Sequence, residues 1–201
     1  RNELYAASAP HASDGTLLYA GTCRNLTPAQ IASQTRKPAW RIRVPEESIS
    51  FRDGVFGAVT QNLATACGDF ILRRSDGVYA YQLAVSVDDA LMGVTRVVRA
   101  QDLLSSAPRQ KWLIETLGYT APDYAHAPLL TAPDGRKLSK RDGDLNMEEL
   151  RRRYTPEELT GRLAYLCGLI DRIESVSPRE LIAQFDWAKV PRGEIDITGV
   201  F

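Results

Sequence analysis

The pattern of this 201-residue chain predicts an α/β fold that gives way to a helical C-terminal third. Two stretches carry that expectation. Residues 82–118 run helix, short β-branched strand, helix, which is half of an α/β unit. Further on, Thr155-Pro156-Glu157-Glu158 and Ser177-Pro178-Arg179-Glu180 are two helix starts of one design. In each, a hydroxyl caps the free amides, proline suits the first turn and a glutamate three residues on reaches back.

The elements follow in chain order. Residues 1–38 are polar and turn-rich, with Asp14-Gly15 as a turn. Thr27-Pro28-Ala29-Gln30 starts a helix by the same capping chemistry. Residues 39–44 alternate as a strand does. Residues 69–82 read as a hairpin, with Phe70 to Leu72 as one arm, Ser75-Asp76-Gly77 as the turn and Val78 to Tyr81 as the return. A helix over 82–91 follows, then Val94 to Val98 as a buried strand. Pro108 opens a helix that carries Trp112, Leu113, Ile114 and Leu117 and stops near Gly118. Leu129-Leu130, a turn at Pro133-Asp134-Gly135 and a basic segment complete the middle of the chain.

Bulk properties exclude some classes. Apolar residues make up 44% and charged residues 25%, as in ordinary globular proteins. The formal net charge is zero, so any nucleic-acid contact rests on a local patch. One such patch exists: Arg136, Lys137, Lys140, Arg141, Arg151, Arg152 and Arg153 fall close together. The three cysteines, Cys23, Cys67 and Cys167, are odd in number and scattered, which argues against a disulfide framework and for a reducing, cytoplasmic setting. No apolar run is long enough to span a bilayer.

The sharpest chemical signal is Lys137-Leu138-Ser139-Lys140-Arg141, directly after Pro133-Asp134-Gly135-Arg136. Two lysines flank a small hydroxyl residue in a turn-bounded loop. Such a loop can wrap a triphosphate and neutralise charge that builds up during displacement. Taken alone, these residues favour a plainer reading, a solvated basic loop or a contact to an RNA backbone.

They do not stand alone. Gly68 to Gly77, Val87 to Thr95 with Val97-Val98-Arg99, Ser105 to Gln110, and Ala125-His126-Ala127-Pro128-Leu129-Leu130 precede the lysine loop in fixed order. These five blocks resemble the glutamyl-tRNA synthetases, class I aminoacyl-tRNA synthetases whose KMSKS-type signature has the form Lys-Leu-Ser-Lys-Arg here. Tyr79-Ala80-Tyr81-Gln82-Leu83-Ala84-Val85 and Asp102-Leu103-Leu104 look like the glutamyl-queuosine tRNA(Asp) synthetase branch of that family. The tRNA-charging branch favours a Tyr-His-Phe-Ala-Asn type of phrase and Glu-Glu-His-Leu; Val85 departs from it, since asparagine is common there.

The resemblance implies a ligase that activates glutamate with ATP, in the presence of Mg, and passes the glutamyl group to queuosine in tRNA(Asp). It implies that Arg99, at the end of the strand after Val94, grips the glutamate side chain, because a guanidinium can hold a carboxylate with two parallel hydrogen bonds. The plain alternative is an ion-paired surface arginine. Tyr81 matches a tyrosine of the glutamate pocket; otherwise it is a core aromatic. Lys140, and after it Lys137, are implied to contact the ATP phosphates in the transition state, and Leu138 to offer backbone groups to adenine. Tyr19 and Cys23 have the Tyr-x-x-x-Cys spacing of half a zinc site whose Cys-x-Cys half is absent, so zinc is expected only with such a pair upstream. Cys67 and Cys167 read as small buried residues.

The implied fold is the second half of a class I Rossmann-like domain, with a connective α+β insertion and a C-terminal helical stem-contact region. Residues 1–75 are expected to be the insertion, 76–130 the second Rossmann half, and 131–201 the KMSKS-type loop with the stem-contact helices. The family's HIGH-type motif is not in this sequence, where His11 and His126 sit in other contexts. An upstream segment of the same fold is therefore an expected partner, and the fragment alone is expected to be inactive. Two rivals remain: a shortened glutamyl-tRNA synthetase that charges tRNA(Glu), and a non-catalytic RNA-binding fragment.

Overall fold

A computed structural model describes residues 18–35, 37–138 and 146–201. The Asp14-Gly15 turn, and Ser139, Lys140 and Arg141 of the lysine loop, lie outside these residues. The chain divides into two compact units. Among the described residues, unit 1 takes 18–35, 37–52, 58–97 and 103–124; unit 2 takes 53–57, 98–102, 125–138 and 146–201.

In unit 1, α1 (Pro28–Ala32) begins as expected: Thr27 Oγ1 accepts the Gln30 amide at 3.3 Å and Gln30 Oε1 accepts the Thr27 amide at 2.8 Å. Strand β1 (Trp40–Ile42) pairs antiparallel with β4 (Phe70–Arg73). The expected return arm at 78–81 shrinks to a single bridge, Arg73 to Tyr79, because the chain turns into a helix at Tyr81. Around one core of Val44, Leu63, Cys67, Phe70 and Leu113 pack Ile42, Leu72, Leu83 and Trp112. Phe70 and Trp112 meet edge to face with centroids 6.4 Å apart, an arrangement that suits the ring quadrupoles. The short helix α2 (Leu63–Ala66) supplies Leu63 and is capped by Asn62, whose side chain accepts the Thr65 amide.

Helices α3 (Tyr81–Leu91) and α4 (Ala107–Thr116) flank a five-residue strand, β5 (Arg96–Ala100), which bears out the helix-strand-helix reading. The strand is not buried, however. Its residues alternate between exposed and half-buried, and it ends the order β3-β2-β6-β5, where an edge strand keeps one side in water. Here β2 is Ser48–Asp53, β3 is Gly57–Asn62 and β6 is Asp123–Ala127. The link between β2 and β3 is only three residues, too short for anything but antiparallel pairing.

In unit 2, β7 (Leu130–Thr131) pairs parallel with β8 (Ile195–Asp196). Helices α5 (Met147–Arg153), α6 (Pro156–Leu166) and α7 (Pro178–Ile182) follow β7. Both expected capping boxes form: Thr155 with Glu158, and Ser177 with Glu180. A second core gathers Ala164, Ile170, Val176 and Leu181. Helix α5 carries Glu148 and Glu149 in its first turn and Arg151 to Arg153 in its last, which matches charge to the helix dipole at both ends. Among the described residues, no helix is long and apolar enough to cross a membrane.

Candidate active site

Three neighbouring strands each place one polar side chain in a connected row within unit 2. Asp53 ends β2, His126 is the fourth residue of β6, and Arg99 is the fourth residue of β5. Asp53 Oδ2 lies 2.6 Å from His126 Nδ1, and the Arg99 Nε–H donates to His126 Nε2 at 3.0 Å. Asp53 is 2% exposed and His126 is fully buried, whereas Arg99 is half-buried.

The local sequence explains this placement. Asp53 Oδ1 accepts the amides of Val55 and Phe56, each at 2.9 Å, so the side chain itself makes the turn out of β2. It also accepts the His126 amide at 3.3 Å, which ties β6 to the same carboxylate. Gly54 is needed for the close approach, since a Cβ there would stand 3.0 Å from the Cβ of Ala125. A buried carboxylate is costly unless its lone pairs are used, and Asp53 has four donors around it. Burial pushes its pKa up, but the bonds from the Phe56 amide, the His126 side chain and the Val55 and His126 amides outweigh this and hold it below the usual carboxylate range.

A carboxyl whose folded pKa is depressed adds stability that is fully present above its unfolded pKa and is lost as pH falls through the folded value. Wild-type protein is therefore expected to lose stability steeply below about pH 4. Asp53→Asn should flatten that slope, read as urea midpoints from neutral pH downward. Parallel slopes for the two proteins would show that Asp53 does not supply it.

The proton positions at this row are forced. A guanidinium Nε can only donate, so His126 Nε2 must accept and the imidazole must be neutral. Its one proton then sits on Nδ1 and points at Asp53. Arg99 is a half-buried guanidinium whose Nε is held by a buried imidazole.

The lysine loop begins in the same unit. Residues 131–137 form a tight reversal: the Ala132 amide donates to the Arg136 carbonyl at 2.9 Å, and Thr131 bridges to Lys137. Lys137 Nζ donates to Asp102, which lies three residues past Arg99 in the 3-10 turn Gln101–Ser106. The Leu138 amide makes a long bond to the Leu130 carbonyl, 3.4 Å. Arg99 and Lys137 are thus both anchored at the end of β5. In the rest of the basic stretch, Arg136 pairs with Asp134, Arg152 with Glu148 and Arg153 with Glu149.

Tyr81 belongs to unit 1, as the first residue of α3, and is 53% exposed; it is not a core aromatic. The helix start beside it is held by a polar network. Gln82 Nε2 donates to Ser106 Oγ at 3.1 Å, and Gln110 Nε2 donates to Gln82 Oε1 at 2.8 Å. Gln110 is 1% exposed, so this network fixes α3 against α4 with little freedom.

At the other sequence-predicted positions, the Tyr19 hydroxyl accepts the Cys23 amide at 2.6 Å, and the Arg41 guanidinium lies 4.2 Å from the Tyr19 ring centre. Two donors do not close a tetrahedral zinc site. Among the described residues, no group of three or more His, Cys, Asp or Glu side chains is placed to hold a metal. Cys67 is buried as expected; Cys167 is half-buried, and burial pushes its thiol pKa up. Asp53 and the role of His126 were not foreseen from sequence.

The fold is mixed α/β, as in class I synthetase domains. The chain matches the family model for the catalytic domain of class I tRNA synthetases (E and Q) over residues 7–194, and it belongs to that family. It is 47% identical over 204 residues to a glutamyl-Q tRNA(Asp) synthetase of Symbiobacterium thermophilum, covering 98% of this chain and 62% of the relative. A protein of the same name from Neisseria meningitidis is 46% identical, over 95% of this chain and 64% of its own length. The chain thus spans less than two thirds of these relatives. Among solved structures it resembles a glutamate-tRNA synthetase from Elizabethkingia anophelis, with a TM-score of 0.77 and 26% identity over 98% of this chain and 46% of that one. A glutamate tRNA ligase from Elizabethkingia meningosepticum, solved in complex with its amino acid, gives a TM-score of 0.75 at 26% identity.

Proposed function

We propose that the protein activates glutamate with ATP and transfers the glutamyl group to queuosine in tRNA(Asp). The observation that carries this reading is Arg99, a guanidinium held at the end of β5 by a buried His126–Asp53 pair, in a chain close in sequence to proteins of that name. Arg99 receives the side-chain carboxylate of glutamate, and Tyr81 is a further glutamate-binding residue. The α-carboxylate then attacks the α-phosphorus of ATP; a phosphorus–oxygen bond forms, and pyrophosphate leaves with the displaced electron pair. A hydroxyl of the queuosine diol attacks the acyl carbon next, loses its proton and releases AMP.

Lys140 and Lys137 neutralise phosphate charge as pyrophosphate departs, and backbone groups of Leu138 meet adenine. Each lysine is worth about 3 kcal/mol to the transition state, on the scale of one preorganised donor. Before ATP binds, Lys137 rests on Asp102. Mg enters with ATP as its counterion. Zinc belongs to this reading only where an upstream Cys-x-Cys pair joins Tyr19 and Cys23. The odd number and scatter of Cys23, Cys67 and Cys167 fit a cytoplasmic setting.

The test uses the full-length gene product. Exchange of pyrophosphate into ATP should depend on glutamate and proceed without tRNA, and labelled glutamate should attach to the queuosine of tRNA(Asp). Exchange that requires tRNA, with glutamate attached to the 3′ end of tRNA(Glu), would replace this reading with the tRNA-charging one.

A further inference from the structure

We infer that His126 and Asp53 are positioning residues that set the orientation of Arg99 toward the substrate carboxylate, and that they act by fixing one imidazole tautomer. The inference rests on the reading of Arg99 as the carboxylate-binding group.

Asp53 and His126 are buried in unit 2, so neither can trade its partner for water at little cost. The carboxylate already serves two turn amides and the His126 amide through Oδ1, which leaves its orientation little choice. Oδ2 then faces Nδ1 at 2.6 Å and selects the Nδ1–H form of the ring. That form presents a bare Nε2 to Arg99, and the Nε–H of Arg99 fills it at 3.0 Å. Were the proton on Nε2 instead, two N–H groups would confront each other, and the guanidinium would swing away.

With Nε committed to the imidazole, a carboxylate that Arg99 holds is met by its Nη hydrogens rather than through the Nε edge.

The test has two arms. In the full-length protein, His126→Leu removes the acceptor, and the KM for glutamate should rise about tenfold while the KM for ATP stays within twofold, tenfold being about 1.4 kcal/mol. His126→Gln places an amide oxygen where Nε2 stood and should recover most of the loss. Asp53→Asn keeps the shape but makes position 53 a donor to Nδ1, which drives the proton to Nε2; it should raise the glutamate KM as His126→Leu does. In the second arm, nitrogen NMR of this 201-residue chain reads the tautomer directly. The chain has only two histidines, so loss of one signal set in His126→Gln assigns the other. Wild type should show a protonated Nδ1 and a bare Nε2, and Asp53→Asn the reverse.

A protonated Nε2 in wild type would overturn the inference, as would an unchanged glutamate KM in both His126→Leu and Asp53→Asn. A His126→Gln variant as poor as His126→Leu would also overturn it, since packing rather than acceptance would then be the role. If wild type binds no glutamate, the reading of Arg99 fails instead, while the NMR arm still decides the tautomer.

Discussion

Arg99→Ala is expected to lower glutamate-dependent pyrophosphate exchange by two to three orders of magnitude. Removing one partner of a desolvated, hydrogen-bonded charge pair costs about 2–5 kcal/mol. Arg99 is half-buried and its Nε is held by His126, so a substrate carboxylate on it would be partly shielded from water. A middle value of about 3–4 kcal/mol converts to several hundredfold at about 1.4 kcal/mol per decade. The loss should fall on kcat/KM for glutamate, while ATP binding changes little, because the phosphate contacts are proposed for Lys140 and Lys137 rather than for Arg99. Arg99→Lys should recover little. An ammonium keeps the charge but cannot donate sideways to Nε2 and grip a carboxylate with two parallel bonds at once. Steady-state kinetics with glutamate and ATP varied in turn would check this; an equal rise in both KM values would remove Arg99 from the amino-acid site.

What could be read from sequence was local chemistry. Thr27, Thr155 and Ser177 each announce a helix because cap, proline and returning Glu or Gln all lie within four residues. Helices α3 and α4 and strand β5 were legible for the same reason, from short-range pattern. The β2–β3 hairpin was not. Ile49 and Phe51 alternate with polar residues, and Asp53-Gly54 is a turn pair, so its signal was present but brief. The β-branched run of β5 does not reveal its burial, because such a run fits a half-exposed edge strand as well as a central one. At the site, the resemblance singled out Arg99, but nothing local in its sequence reveals its support. His126 and Asp53 are 73 residues apart, and only strand order brings them together. A pairing set by topology leaves no mark on spacing. Lys140, the lysine that the motif ranks first, falls outside the described residues, whereas Lys137 and its partner Asp102 fall inside.

The largest stability effect should come from a residue with no chemistry. Gly161 lies in the middle of α6, where glycine normally weakens a helix by up to about 1 kcal/mol relative to alanine. Propensity alone would therefore make Gly161→Ala stabilising. Packing reverses the sign. A Cβ at 161 would stand 1.7 Å from the carbonyl oxygen of Glu174 and 2.8 Å from its carbonyl carbon. Both are backbone atoms, so no side-chain rotation can relieve the overlap. That backbone is also pinned on the far side: the Val176 amide donates to the Glu157 carbonyl at 3.2 Å, and Val176 packs with Ala164 and Leu181 in the second core. Relief requires the segment around Glu174 to lift off α6, which opens that core. Overpacking costs about 1–3 kcal/mol where side chains can adjust, and more where backbone must move. A destabilisation of about 3 kcal/mol or more is expected, seen as a fall in Tm of roughly 10 °C for a chain of this size. Circular dichroism melts of the two proteins would measure it. A Tm that holds or rises would mean that α6 and the Glu174 segment are not packed backbone to backbone, and that helix propensity governs the position after all.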